Sequence, residues 1–107
     1  MTKQIKFGIQ KEQKVAQSLR AYGAKVVRSP DSRGAADLKA KFPSGTKWNV
    51  QVKATRSGTP AGPSPRDLGR LKQSAKMDNA TAVVAKVSPQ KIEYESARGR
   101  KLTPPRK

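Results

Sequence analysis

Four side chains have the types and spacing needed to hydrolyse a phosphodiester bond. Asp37, Gln51 and Lys53 lie on two short alternating segments, and Glu12 lies on a helical segment that precedes them. Carboxylate and amide oxygens suit Mg²⁺, and a bound ion polarises a phosphate and lowers the pKa of its water. A lysine beside the ion would orient that water or stabilise developing charge. We therefore expect Asp37, Gln51 and Glu12 to bind Mg²⁺, with Mn²⁺ as a possible substitute, and Lys53 to complete the catalytic set.

Two alternating segments position three of these residues. Residues 37–42 alternate between apolar and polar side chains, and residues 47–54 do so again after a Pro-Ser-Gly turn. Such a pair is typical of a β-hairpin. The alternation places Trp48 with the apolar side chains, which favours a core position over a surface that stacks on bases.

The register of this hairpin decides what lies opposite the acid. Pairing Leu38 with Val50 sets Asp37 opposite Gln51, whereas a shift of two residues sets Asp37 opposite Lys53. Both registers leave one polar cluster on one face of the sheet.

The fourth residue belongs to a predicted amphipathic helix over residues 9–22, followed by Gly23 as a stop signal. Helical spacing from Val15 and Leu19 directs Glu12 along the core-facing stripe. On its own, a carboxylate here is more often a solvated partner of a neighbouring lysine. The conjunction with the hairpin residues favours a role in the site.

The remaining segments complete one α+β domain. We predict strands over 24–28, 80–87 and 91–95, and a helix that Ser64 caps and that ends at Asp78-Asn79. The predicted order is helix, three strands, helix, two strands, with a central mixed sheet flanked by helices and the last strand at an edge. Residues 1–97 form the predicted nuclease domain, and residues 98–107 form a flexible basic tail.

The net charge of the chain predicts the kind of molecule that it binds. The chain carries 24 Lys and Arg against 7 Asp and Glu, a formal net charge of +17, so a polyanion such as DNA is expected. The absence of Cys and His excludes thiolate and imidazole chemistry, so any metal is held by oxygen. We expect no membrane association and no small-molecule cofactor, and a location inside the cell, in the cytoplasm or nucleoid, or in a host cytoplasm if the source is viral.

The segment GIQKEQKVAQSLRAYGAKVVRSPDSRGAADLKAKF and the later WNVQVKATR resemble the archaeal-type Holliday junction resolvases, members of the PD-(D/E)XK nuclease superfamily. The resemblance is carried by Glu12, Val27-Arg28-Ser29-Pro30 with Ser32, Ala36-Asp37-Leu38 and Gln51-Val52-Lys53. It implies a restriction-endonuclease-like core and a homodimer that acts on four-way DNA junctions with Mg²⁺. It also implies that Ser32 lies at the active-site loop and that Arg28 contacts DNA. The family's usual Glu is Gln51 here, which keeps an oxygen but loses a charge.

The function expected from these features is a structure-specific endodeoxyribonuclease that resolves four-way junctions in recombination, repair or DNA processing. The basic residues expected at the DNA are Lys11, Arg28, Arg33, Arg56 and Arg66. Two alternatives stay open. One is a non-catalytic basic protein that coats nucleic acid, and the other is a nuclease of the same fold that acts on other branched or nicked DNA, or on RNA.

Overall fold

The computed structural model of the chain describes residues 2–28, 36–55 and 62–105, with side chains described from Ile9 onward. Its elements in chain order are α1 (Thr2–Ala21), β1 (Lys25–Arg28), β2 (Leu38–Lys41), β3 (Lys47–Ala54), α2 (Pro65–Met77), β4 (Thr81–Val87), β5 (Ile92–Ser96) and β6 (Lys101–Leu102). The predicted site residues Ser32, Arg33 and Arg56 lie outside the described residues. Neither described helix combines the length and apolar character needed to cross a membrane.

The strands form one mixed sheet in the order β1-β2-β3-β4-β5-β6. The pair β3 and β4 is parallel, because α2 carries the chain back across the sheet between them, and the other pairs are antiparallel. The predicted α+β class and element order are confirmed, with one addition. β6 pairs with β5, so the edge position predicted for β5 is wrong. Lys101 and Leu102 belong to this sheet although they lie within the stretch predicted to be a tail.

The hairpin of β2 and β3 has the first of the two predicted registers. Leu38 pairs with Val50, and Ala40 pairs with Trp48. Because side chains alternate along each strand, this register turns Leu38, Trp48 and Val50 toward one face, where all three are buried. Trp48 packs edge-on against Phe42 with ring centroids 5.2 Å apart, which confirms its predicted place in the core.

Helix α1 covers that apolar face of the sheet. Val15, Ala16 and Leu19 are buried in one cluster with residues of β2, β3 and β4. The helix begins at Thr2, seven residues before the predicted start at Ile9. The predicted start was placed where the apolar stripe of the helix begins. The residues before it contain no proline that would interrupt the helix.

Helix α2 covers the opposite face over β3 and β4. Leu71 and Ala75 are buried there in a smaller cluster with residues of β4. The predicted cap is present, because Ser64 Oγ accepts a hydrogen bond of 3.2 Å from the backbone N–H of Asp67. Such caps contribute about 1 kcal/mol. Polar side chains of β3 on this face are therefore covered by a helix.

Candidate active site

The hairpin holds Asp37 by two backbone contacts. Asp37 lies one residue before β2, and its N–H donates to the carbonyl oxygen of Val50 at 2.8 Å. Its side-chain Oδ2 accepts a hydrogen bond of 2.8 Å from the N–H of Val52. Val50 and Val52 flank Gln51, so both bonds fix the Asp37 carboxylate next to the strand position that Gln51 occupies.

Gln51 is buried, with 4% of its surface exposed. Its amide Oε1 is buried without a hydrogen-bond partner among the described residues. From the sequence Gln51 was expected on the polar face of the hairpin. That face is covered at this point because β4 pairs along β3 and α2 packs over both. A buried acceptor without a donor costs about 1–3 kcal/mol, so a donor or a cation at this oxygen would stabilise the protein.

Lys53 lies two residues further along β3, on the same face as Gln51, and is half-buried. Its charge acts on the Asp37 carboxylate and opposes the rise in that group's pKa. In the parallel register Lys53 lies beside Lys86 of β4. Lys86 forms an ion pair of 3.2 Å with Glu95, and both side chains are 19% exposed. This pair was not predicted, although a single lysine within the apolar run of residues 80–87 was a signal for it.

Glu12 reaches the same place from α1. Its Oε1 accepts hydrogen bonds from Nη2 of Arg28 at 3.2 Å and from Nε at 3.3 Å. Burial, and after it the charge of Asp37, raise the pKa of Glu12. The structure thus brings Glu12, Asp37, Gln51 and Lys53 to one end of the β2-β3 hairpin. Arg28, expected at DNA, lies there too, paired with an acid that sequence reasoning had not connected to it.

The surroundings of Asp37 and Glu12 disfavour their ionised carboxylates, which a bound cation would stabilise. Burial raises the pKa of Asp37, and the N–H of Val52, Lys53 and Arg28 oppose this rise. Burial, followed by the charge of Asp37, raises the pKa of Glu12, against the opposing effect of Arg28. Desolvation and like charge both penalise the ionised carboxylates, and a divalent cation would relieve both penalties.

The donor set fits a hard divalent cation such as Mg²⁺. It consists of carboxylate oxygens from Asp37 and Glu12 and the amide oxygen of Gln51, which has no partner among the described residues. Hard cations prefer oxygen ligands. Within the three described ranges, no group of three or more His, Cys, Asp or Glu side chains is placed to hold a metal. A cation at this place would have the carboxylates of Asp37 and Glu12 and the amide oxygen of Gln51 as its nearest described candidates for ligands.

Two of the remaining predicted DNA contacts are described. Lys11 immediately precedes Glu12 on α1 and is half-buried, and Arg66 is exposed in the first turn of α2. A polar link lies further along the same face, where the amide of Asn49 donates to Ser74 at 2.8 Å and to Asp78 at 2.9 Å. This link ties β3 to the C-terminal end of α2.

Comparisons with known proteins agree with this architecture. A family model described as "REase associating with pPIWI_RE" matches residues 10–107. Among solved structures, 18 chains match, and one is Hjc of Archaeoglobus fulgidus, described as a Holliday junction resolvase from an archaeal hyperthermophile. Its TM-score is 0.76 at 20% identity, over 85% of this chain and 73% of that chain. No curated protein sequence matches. The predicted restriction-endonuclease-like fold, and the resemblance from which it was inferred, are confirmed.

Proposed function

The chain belongs to the family of restriction-endonuclease domains described as "REase associating with pPIWI_RE", and from this premise we propose that it is a divalent-metal-dependent DNA endonuclease. The observation that carries the proposal is the buried Oε1 of Gln51, which has no hydrogen-bond partner among the described residues. It lies on the strand next to Asp37, and the carboxylates of Asp37 and Glu12 have raised pKa values. A structural polar cluster would satisfy its own acceptors, whereas a metal site leaves them for the ion.

Each residue has a role that follows from its position. Asp37, Gln51 and Glu12 would hold the ion, which would polarise the phosphate as a Lewis acid and lower the pKa of a bound water. Lys53 directs its ammonium charge at the same place and stabilises negative charge that develops on the phosphate. Arg28 neutralises Glu12 in the free protein, and its guanidinium could bind a phosphate of the DNA if Glu12 served the metal instead.

We propose DNA with a four-way junction as the first substrate to test, with a homodimer as the active species. Support comes from the sequence resemblance and from symmetry, since resolving a junction takes two cuts and a two-fold dimer carries two sites. The family description adds a second setting, in which the chain cuts DNA as the nuclease partner of a pPIWI_RE protein. Both settings use the same active site. They differ in whether a homodimer binds the DNA as a junction or a pPIWI_RE protein brings the DNA to the site.

The test compares the wild type with Asp37→Asn. Asparagine keeps an oxygen that can accept the N–H of Val52, so the hairpin is preserved while a charged ligand is lost. We expect the wild type to cut a labelled four-way junction with Mg²⁺ but not with EDTA. The variant should lose cutting by at least about 100-fold, on the scale of losing one preorganised charge-stabilising group, and still bind the junction.

Parallel reactions with duplex, flap, nicked DNA and RNA identify the substrate, and light scattering gives the oligomeric state. Cutting of duplex only in the presence of a pPIWI_RE protein would favour the second setting. Equal inactivity of both proteins on every substrate, with intact binding, would support a non-catalytic nucleic-acid-binding protein and overturn the proposal.

A further inference from the structure

The face of the sheet that α2 covers is left open at β1 and β2. Beyond the C-terminal end of α2 lies a groove of about 660 Å³. Four lysines line it, namely Lys25, Lys39, Lys41 and Lys47. Val27 and Met77, the only large apolar side chains exposed in the described part of the chain, also line it, at 65% and 80% exposure. The groove is thus both cationic and open.

Three of these lysines form one row across the sheet, here called the lysine row. Lys25 pairs with Lys41, and Lys41 pairs with Lys47, so the three lie directly opposite one another on adjacent strands. Neighbouring strands are about 4.8 Å apart, and like charges directly opposite destabilise a sheet. The free protein therefore holds three cations where their mutual repulsion costs stability.

Within the described residues, no carboxylate forms an ion pair with the lysine row. Asp78 acts on Lys47 at longer range, but its carboxylate is bonded to Lys39 at 2.9 Å and to Asn49. The row is thus an uncompensated cationic site that a polyanion would stabilise.

The lysine row continues the face that carries the candidate active site. Lys41 and Asp37 lie on the same side of the hairpin, four residues apart, and so do Lys47 and Gln51. Four strand residues span about 13 Å. A DNA backbone that follows this face would therefore reach the row within a few nucleotides of a phosphate bound at Asp37.

We propose that the lysine row binds the sugar-phosphate backbone of the DNA that the site cuts, a few nucleotides from the scissile phosphate. The proposal rests on the proposed function and adds the path of the DNA across the protein. A second copy of this chain is a poor occupant, since each copy would bring its own lysine row into the groove. Val27 and Met77 offer apolar contact to the deoxyribose that lies between phosphates.

The test replaces Lys25, Lys41 and Lys47 with glutamine together. Its matched control replaces three other exposed lysines, Lys14, Lys72 and Lys91, which lie on α1, on α2 and before β5. Both variants lose the same charge. Binding to a labelled duplex and to a junction is measured without divalent metal across a series of salt concentrations. Because no cutting occurs, a chain that binds but does not cleave still tests the proposal.

Each phosphate contact contributes about 0.9 to the slope of log affinity against log salt. We expect the row variant to reduce the magnitude of the slope by about 2–3 and the control by less than about 1. The row variant should melt at or above the wild-type temperature, because it removes mutual repulsion. Equal slopes for the two variants would overturn the proposal. If the wild type cuts DNA while the slopes are equal, only this proposal fails.

Discussion

The substitution Gln51→Glu tests the metal site most directly. Gln51 is 4% exposed and its Oε1 has no partner among the described residues. Glutamate has nearly the same shape, so the substitution changes charge and little else. It creates a third carboxylate beside Asp37 and Glu12, which already have raised pKa values.

The metal-free variant should be less stable than the wild type. Two unit charges about 5 Å apart repel by about 3 kcal/mol at an effective dielectric constant of about 20, and uptake of a proton limits the cost. The folded state raises the pKa of the new acid, so it binds more protons than the unfolded state as pH rises above about 4. We expect the free energy of unfolding to fall by about 2–3 kcal/mol near pH 8 and to change little near pH 4.

Bound Mg²⁺ should offset part of this loss of stability. A third anionic ligand raises affinity for a hard cation, and we expect the dissociation constant for Mg²⁺ to fall at least about tenfold, or about 1.4 kcal/mol. Urea denaturation with and without Mg²⁺ measures stability, and calorimetric titration measures affinity. The control is Gln51→Met, which removes the unpartnered oxygen and should weaken Mg²⁺ binding without lowering metal-free stability. If glutamate at this position neither destabilises the metal-free protein nor tightens Mg²⁺ binding, the amide of Gln51 does not share a site with the carboxylates.

Three further predictions follow from individual contacts. Arg28→Gln removes the partner of Glu12, so the pKa of Glu12 should rise further in an NMR titration, and DNA binding should weaken. Without metal, wild-type stability should fall as pH rises from about 4 through the raised pKa values of Glu12 and Asp37, and Mg²⁺ should flatten this dependence; a stability that rises over that range would contradict the reasoning. Asn49→Leu loses its bond to the carboxylate of Asp78 at 2.9 Å and should cost about 1.5–3 kcal/mol in urea denaturation.

The hairpin was predictable because its signals are local. Alternation and a short turn predicted a hairpin with two possible registers, and the structure has the one that pairs Leu38 with Val50. Helix α2 was predictable for the same reason. Ser64 caps it as expected, and it ends where Asn79 adopts a left-handed conformation with φ of 54°, which asparagine tolerates.

The site was predictable only in part. Gln51 was placed correctly on its strand, but its burial depends on where α2 packs, which no pattern within β3 encodes. The bond between Arg28 and Glu12 joins residues that are 16 positions apart on different elements, so it depends on the tertiary fold. Strand β6 is two residues long, too short for alternation to reveal it.

The two ends of the sheet limit how copies of this chain join one another. An outer strand presents unpaired backbone groups to which another chain can add a strand. Here β1 has four residues, begins with Lys25 and ends with Arg28, and β6 has two residues, the first of which is Lys101. Both edge strands are short and positively charged, so repulsion between copies opposes edge-to-edge strand pairing and the formation of fibres.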